Sequence, residues 1–390
     1  TGVNTHAGGT SINAGTLAVN ADAALGAGAL TFNGGTLQTS AAVASARAVT
    51  LGTGGGTIDA ANASSTFSGV FSGAGALLIT DSVGGGTITL SGANTYSGGT
   101  AVNGALGVTL QAGAANVLGT GAVALNSGAG RADLNLAGFN QTIGSLSGDA
   151  NSNVRLGAAQ LTTGSDNAST TFAGSISDGG AGGSLVKTGS GVWTLTRANV
   201  YSGGTTVNAG TLAIDNLNEL GSGAVTLNGG TLKTTAALTF TRDITLGASG
   251  GTIDTGGSDS TFSGTFLGAG LTKSGAGTLT LSGANTYTGG TTLNAGTLSV
   301  GAENNLGALA GGLTFAGGTL KTTAGLADAR AVTLNGAGTI DVNAQTSTFS
   351  GVVADGASAG SLTLSDSAGG GKLILSGVNT YSGGTTLNAG

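Results

Sequence analysis

The sequence predicts an all-β chain, a parallel β-helix (solenoid) in which short strands stack coil upon coil. Three observations carry that expectation. One strand–turn phrase, LSGANTYTGGTTLNAGTLSV at residues 281–300, returns with few changes at 90–110, 195–214 and 375–390, and in a weaker copy at 1–20. Within the phrases, apolar residues alternate with Thr and Ser at period two, the spacing of a half-buried strand. Of the 390 residues 80 are Gly and none is Pro, which suits many tight turns between strands whose N–H groups nearly all donate to the next coil.

Composition removes the alternatives. Gly at this level with no three-residue period and no Pro excludes collagen. With 39% hydrophobic and 7% charged residues, the chain is too apolar and too weakly charged for disorder. A net charge of −6 argues against nucleic acid and anionic membranes as partners, and the 11 Lys and Arg are scattered singly. The absence of Cys excludes a disulfide framework and a thiolate metal site. No signal peptide and no long apolar run is present, so the segment is expected to be soluble with no membrane contact of its own. Because it begins and ends inside copies of the repeat, it is expected to come from something longer.

The chain's four tyrosines all occupy one slot, and the weak first copy places His6 there. The spacing gives long repeats of approximately 6–95, 96–200, 201–286 and 287–380 within one continuous segment, 1–390. Gly-Gly-Thr-Leu recurs at 34–37, 229–232 and 317–320, and Thr-Phe-Ser-Gly at 66–69, 261–264 and 348–351, with Thr-Phe-Ala-Gly at 171–174. Insertions fall between phrases, as where strands are fixed and loops vary. The repeat 101–200 is the irregular one, lacking Gly-Gly-Thr-Leu and carrying FNQTIGSLSG at 139–148. In Thr278-Leu279-Thr280-Leu281 the leucines face inward; Gln38, Lys233 and Lys321, at matching places, are free to face water. No stretch shows helical periodicity. Strands of four or five residues cannot stand alone, so each unit must bury its apolar side on the next. At roughly 20 residues per coil and about 4.8 Å between strands, the chain would make about 20 coils and a rod of about 90 Å. A β-propeller is the rival, but blades carry more aromatic residues than the 4% found here.

No catalytic, cofactor-binding or metal site is predicted, and no cofactor. The recurring structural motif consists of Asn94, Tyr96, Gly98 and Gly99; Asn199, Tyr201, Gly203 and Gly204; Asn285, Tyr287, Gly289 and Gly290; and Asn379, Tyr381, Gly383 and Gly384. Tyrosine faces can stack on sugars, but these lie several coils apart and cannot form one ledge. The stronger reading is that each covers a coil corner and hydrogen-bonds through its hydroxyl. For the asparagines, turn chemistry with the side chain on its own backbone is expected. Asp59, Asp254 and Asp341 recur in Thr-Ile-Asp phrases; paired carboxylates could act on a polysaccharide, yet their separation favours solvated outer-face positions. Residues 54–59, GGGTID, only approach a Ca²⁺-binding nonapeptide. A single histidine allows no Ser–His–Asp triad and no multi-histidine metal site. Trp193 aligns with Ile88, Leu279 and Leu373 and is expected inside the coil. Thr-x-Thr pairs such as Thr278 and Thr280 suggest ice binding, but they cluster near the motif and form no ladder.

The strings LSGANTYSGGT, LSGANTYTGGTTLNAGTL and LSGVNTYSGGTTLNAG, with KTGSGVWTLTRANVYSGGTTVNAGTL at 187–212, resemble the passenger-associated transport repeat (autotransporter-associated β-strand repeat) of Gram-negative type V secretion passengers. The likeness covers essentially the whole chain. It implies a right-handed β-helix at the bacterial surface or outside the cell, repeats that aid export and folding, and a C-terminal translocator β-barrel outside this segment. Thr196-Arg197 departs from the usual Ser-Gly. The expected work is mechanical and non-catalytic, that of a stalk or filament segment whose partners are neighbouring repeats of the same chain. The alternative is an adhesive rod whose weakly charged faces bind like chains laterally or host and cell-surface glycans, in which case displaying cells would clump.

Overall fold

A computed structural model of the chain describes residues 2–389. They form two compact units, one comprising residues up to 205 with 218–223, the other 206–217 with 224 onward. Both are built of short parallel strands, a β-solenoid of about 18 turns counted over the two units. Each coil has three sides. In the second unit the strands Gly251–Asp254, Ser260–Phe262 and Phe266–Gly268 make one coil. Leu271–Ser274 pairs in parallel with the first of these and Thr278–Leu281 with the second. No strand covers the third. There the N–H groups of Thr286 and Thr288 donate to the carbonyls of Phe266 and Gly268, so the tyrosine motif stands where a strand would.

One coil further on, that side is filled by a single 3₁₀ turn, Glu303–Leu306; Asp22–Leu25 and Leu217–Leu220 are its counterparts. The sequence shows no helical period because a four-residue turn is too short to display one.

The interior is a column of stacked side chains. Leu279 lies on Leu298, Leu298 on Leu320 and Leu320 on Ile340, giving coils of 19 to 22 residues. All four are at most 1% exposed. Aromatic rings add to the same column: Phe240 stacks on Phe262 at 5.0 Å and Phe262 meets Phe266 at 5.8 Å. Trp193 is inside, 2% exposed, with its indole N–H unpartnered. Two of the buried positions carry an ammonium. Lys187 and Lys273 are buried, and Lys273 Nζ donates to the carbonyls of Ser274, Gly275 and Ala295 at 2.7, 2.8 and 3.1 Å. Three acceptors at a turn replace the water that a buried ammonium gives up.

Outside, two expectations need correction. Gln38, Lys233 and Lys321 do not simply face water. Parallel register sets them beside Asp59, Asp254 and Asp341 of the next coil, with contacts of 2.8, 3.3 and 3.7 Å. Asp59 and Asp341 are accordingly buried, and Asp254 is half-buried. Asp59 accepts the N–H groups of Ala61 and Ser82, Asp341 those of Asn343 and Ser367, and Asp254 that of Gly256. Exposed ion pairs contribute only about 0–1 kcal/mol, so the backbone bonds are what hold each carboxylate. Single threonines, not Thr-x-Thr pairs, form a column: Thr211, Thr231, Thr252, Thr272, Thr292, Thr314 and Thr333 are successive register partners on one outer face. One threonine per phrase suffices once coil length brings the phrases together.

Candidate functional site

The recurring motif builds a clasp that joins three coils. It begins with the asparagine. Asn94 Oδ1 accepts the N–H of Phe71 at 2.7 Å in the coil beneath, and its Nδ2 donates to the Val117 carbonyl at 2.7 Å in the coil above. Asn199 bridges Ile176 and Glu219, and Asn285 bridges Phe266 and Asn305, in the same way. Asn379 accepts the N–H of Val353. The side chains therefore bond neighbouring coils, not their own backbone as turn chemistry suggested. The reason is local: the corner has no strand, so a side-chain amide, which carries both a donor and an acceptor, stands in for the missing peptide group.

The tyrosine follows two residues later. Tyr96, Tyr201 and Tyr287 are fully buried, and each hydroxyl meets the Oγ1 of the threonine four residues on, Thr100, Thr205 and Thr291, at 2.5–2.6 Å. Half-buried Tyr381 does the same with Thr385. Each of the first three threonine hydroxyls in turn donates to the carbonyl of Leu118, Leu220 or Leu306 in the coil above. Since the threonine proton is committed there, the tyrosine donates and the threonine accepts. Burial pushes the Tyr287 hydroxyl up to about 12, against the bond to Thr291, which lowers it. Burial likewise raises Tyr96. These phenols stay protonated, and their role is to hold. His6 occupies the slot in the first copy: its Nε2 lies 3.2 Å from Thr10 Oγ1, which donates to the Leu25 carbonyl, while Asn4 Nδ2 donates to Ala24. A ring N–H there replaces the phenol O–H.

The paired glycines have separate reasons. At the first, a Cβ would come within 2.3 Å of Gly75 backbone for Gly98, 2.1 Å of Gly182 for Gly203, 2.6 Å of Gly270 for Gly289 and 2.5 Å of Gly360 for Gly383. The second, Gly99, Gly204, Gly290 or Gly384, has φ between 82° and 95°, left-handed backbone that costs other residues about 1–2 kcal/mol.

Sequence reasoning missed three parts of the site. The threonine acceptors were read only as strand residues. A Leu-Gly pair recurs at 25–26, 118–119, 220–221 and 306–307, and its glycine lies against the ring. A Cβ on Gly307 would meet Tyr287 Cε2 at 2.6 Å, and one on Gly119 would meet Tyr96 Cε2 at 2.8 Å. Third, a buried arginine serves the 3₁₀ turn beside the clasp. Arg330 pairs with Asp328 at 2.9 Å and donates to the carbonyls of Glu303 and Gly307 at 2.8 and 2.6 Å. Arg47 pairs with Asp22 and donates to Gly28 at 2.7 Å and to Gly26. Arg242 donates to Leu217 and lies 5.2 Å over the Phe240 ring.

Aspartates knit the glycine turns that precede the motif. Asp178, 4% exposed, accepts the N–H groups of Gly180, Gly182, Gly183 and Ser202 and the Ser202 hydroxyl. Burial alone would raise its carboxyl, but the Ser202 hydroxyl and the amides outweigh it and bring it from 3.8 to about 2. The folded value lies below the unfolded one, so the unfolded chain binds the extra proton as the solution is acidified. The stability this group contributes is present above 3.8 and lost as pH falls through about 2. Urea unfolding across that window is expected to show the loss, and Asp178→Asn to show a lower starting stability with a shallower fall.

The family model for the passenger-associated transport repeat matches five stretches, residues 1–19, 83–105, 185–214, 271–300 and 368–390. Each contains one asparagine–tyrosine (or histidine)–threonine clasp. Over 200 residues the chain is 40% identical to a protein described as "Adhesin BmaC autotransporter" from Brucella suis biovar 1 (strain 1330). That match spans 50% of the chain and 6% of the relative's length. No solved structure matches the chain.

Proposed function

Because the chain is a stretch of autotransporter passenger carrying passenger-associated transport repeats, we propose that its work is mechanical: a non-catalytic stalk segment of a surface-displayed adhesin. The observation that carries this reading is the five-fold recurrence of one motif, which in the Tyr96, Tyr201 and Tyr287 copies spends its asparagine amide and threonine hydroxyl on bonds to the neighbouring coils. Length in a solenoid grows with coil number, and each coil contacts only its neighbours. A clasp every few coils adds side-chain bonds to that ladder and gives each newly exported stretch a firm end on which the next coil can pair. The repeats thereby aid export and folding, and the translocator barrel that delivers them belongs to the longer protein. Small-angle scattering of the purified chain is expected to give the constant cross-section of a rod; a globular profile would end the stalk reading.

A further inference from the structure

The six arginines divide by role. Arg47, Arg242 and Arg330 serve the 3₁₀ turns, whereas Arg131, Arg155 and Arg197 all fall in the irregular repeat and are exposed. Asp133, 7% exposed, holds two of them. Its carboxylate lies 2.8 Å from Arg155 Nη2 and 3.5 Å from Arg131 Nη2. Asn153 Nδ2 donates to the same carboxylate at 2.9 Å. Arg197 donates through Nη1 to the Ala150 carbonyl and has no carboxylate within ion-pair distance among the described residues. Asp149, next to Ala150, gives its own carboxylate to Ser127 and Ser152. Of these three guanidiniums two share one carboxylate and the third is paired with none, in a chain of net charge −6.

Position 197 makes this concentration unusual. The other four copies have glycine there, and at Gly92, Gly283 and Gly377 it is so close to the coil beneath that a Cβ would come within 2.1–2.3 Å of a carbonyl oxygen. The irregular repeat gives up that close approach to admit an arginine. A local rule broken without packing gain points to a site. Arg131 and Arg197 line an open cleft of about 270 Å³ with Ala150, Asn151 and Asn153.

We propose that this cleft binds the carboxylate or sulfate groups of an acidic polysaccharide, with Arg197 and Arg131 gripping the anion and Arg155 held beside them by Asp133. Planar guanidiniums take such groups in paired hydrogen bonds. The exposed Asn151 supplies an amide for sugar hydroxyls. The cleft is smaller than the ~300–1,000 Å³ of an enclosed ligand site, so it holds one or two units of a longer chain. Its lining has no aromatic or large apolar residue to anchor a protein partner.

The test is equilibrium binding of the whole chain to polygalacturonate and to dextran sulfate, with neutral dextran and poly-glutamate as comparisons. Binding to one or both acidic polysaccharides but not to dextran is expected, weakened by salt. Arg197→Gly restores the residue of the other repeats and should weaken binding at least about tenfold, a loss of about 1.4 kcal/mol; Arg131→Gln should do the same. Undiminished binding by Arg197→Gly, no binding to either polymer, or tighter binding to poly-glutamate would overturn the proposal. Any of these outcomes leaves the scattering profile unchanged, so the stalk reading stands or falls separately.

Discussion

Asn285→Ala is expected to loosen the clasp of the second unit by about 2–4 kcal/mol. The substitution leaves the N–H of Phe266 and the carbonyl of Asn305 without partners in a buried corner, and each such orphan costs about 1–3 kcal/mol. Coils open locally before the whole chain unfolds, so the loss is best read at the site. Native-state hydrogen exchange at the Phe266 amide should speed up by about 30- to 1,000-fold. Tyr287→Phe removes only the hydroxyl and should cost about 1 kcal/mol, with the ring still seated on Gly307. Equal exchange at Phe266 in the parent and in Asn285→Ala would show that the side-chain bridge contributes nothing.

Arg330→Leu is expected to cost about 3–5 kcal/mol, since it abandons the Asp328 carboxylate, 0% exposed, in a dry interior. The carbonyls of Glu303 and Gly307 lose a donor in the same step. Replacing both charges, Arg330→Leu with Asp328→Leu, removes the stranded carboxylate and should recover much of that loss. The recovery is incomplete, because the two carbonyls and the Arg330 N–H, which donates to Asp328 Oδ1, still want partners. Thermal melts of the parent, both single variants and the double variant measure the coupling. A single variant within about 1 kcal/mol of the parent would mean that water reaches the carboxylate, contrary to its burial.

How much of this was legible depends on the range of each interaction. Strand positions, inward leucines and the fold class follow from period-two alternation and repeated phrases, both local properties. The motif residues announced themselves by recurring together, Asn285 with Tyr287, Gly289 and Gly290. Their partners did not, because Phe266 and Asn305 are 19 and 20 residues away, and coil length decides which residues become neighbours. The same blindness hid the pairing of Lys233 with Asp254 and of Lys321 with Asp341, and the threonine column. Arg330 looked like one scattered cation among eleven. Only the 3₁₀ turn beneath it, invisible as a period, gives it carbonyls to bind. The Leu-Gly pairs offered a signal, a glycine 20 residues after His6, Tyr201 and Tyr287 and 23 after Tyr96, but their purpose lies in a ring one coil away.

A stack of near-identical Thr-Leu phrases has a weakness: a strand that pairs one coil out of place meets almost the same neighbours. The glycine of the next coil that lies against the Tyr96, Tyr201 or Tyr287 ring removes that degeneracy. A coil that threads wrongly brings a side chain against Tyr287 where Gly307 belongs, and the error is rejected at once. Each clasp is therefore a checkpoint for alignment. Misthreading cannot travel past it, so the stretches between clasps are free to differ in length.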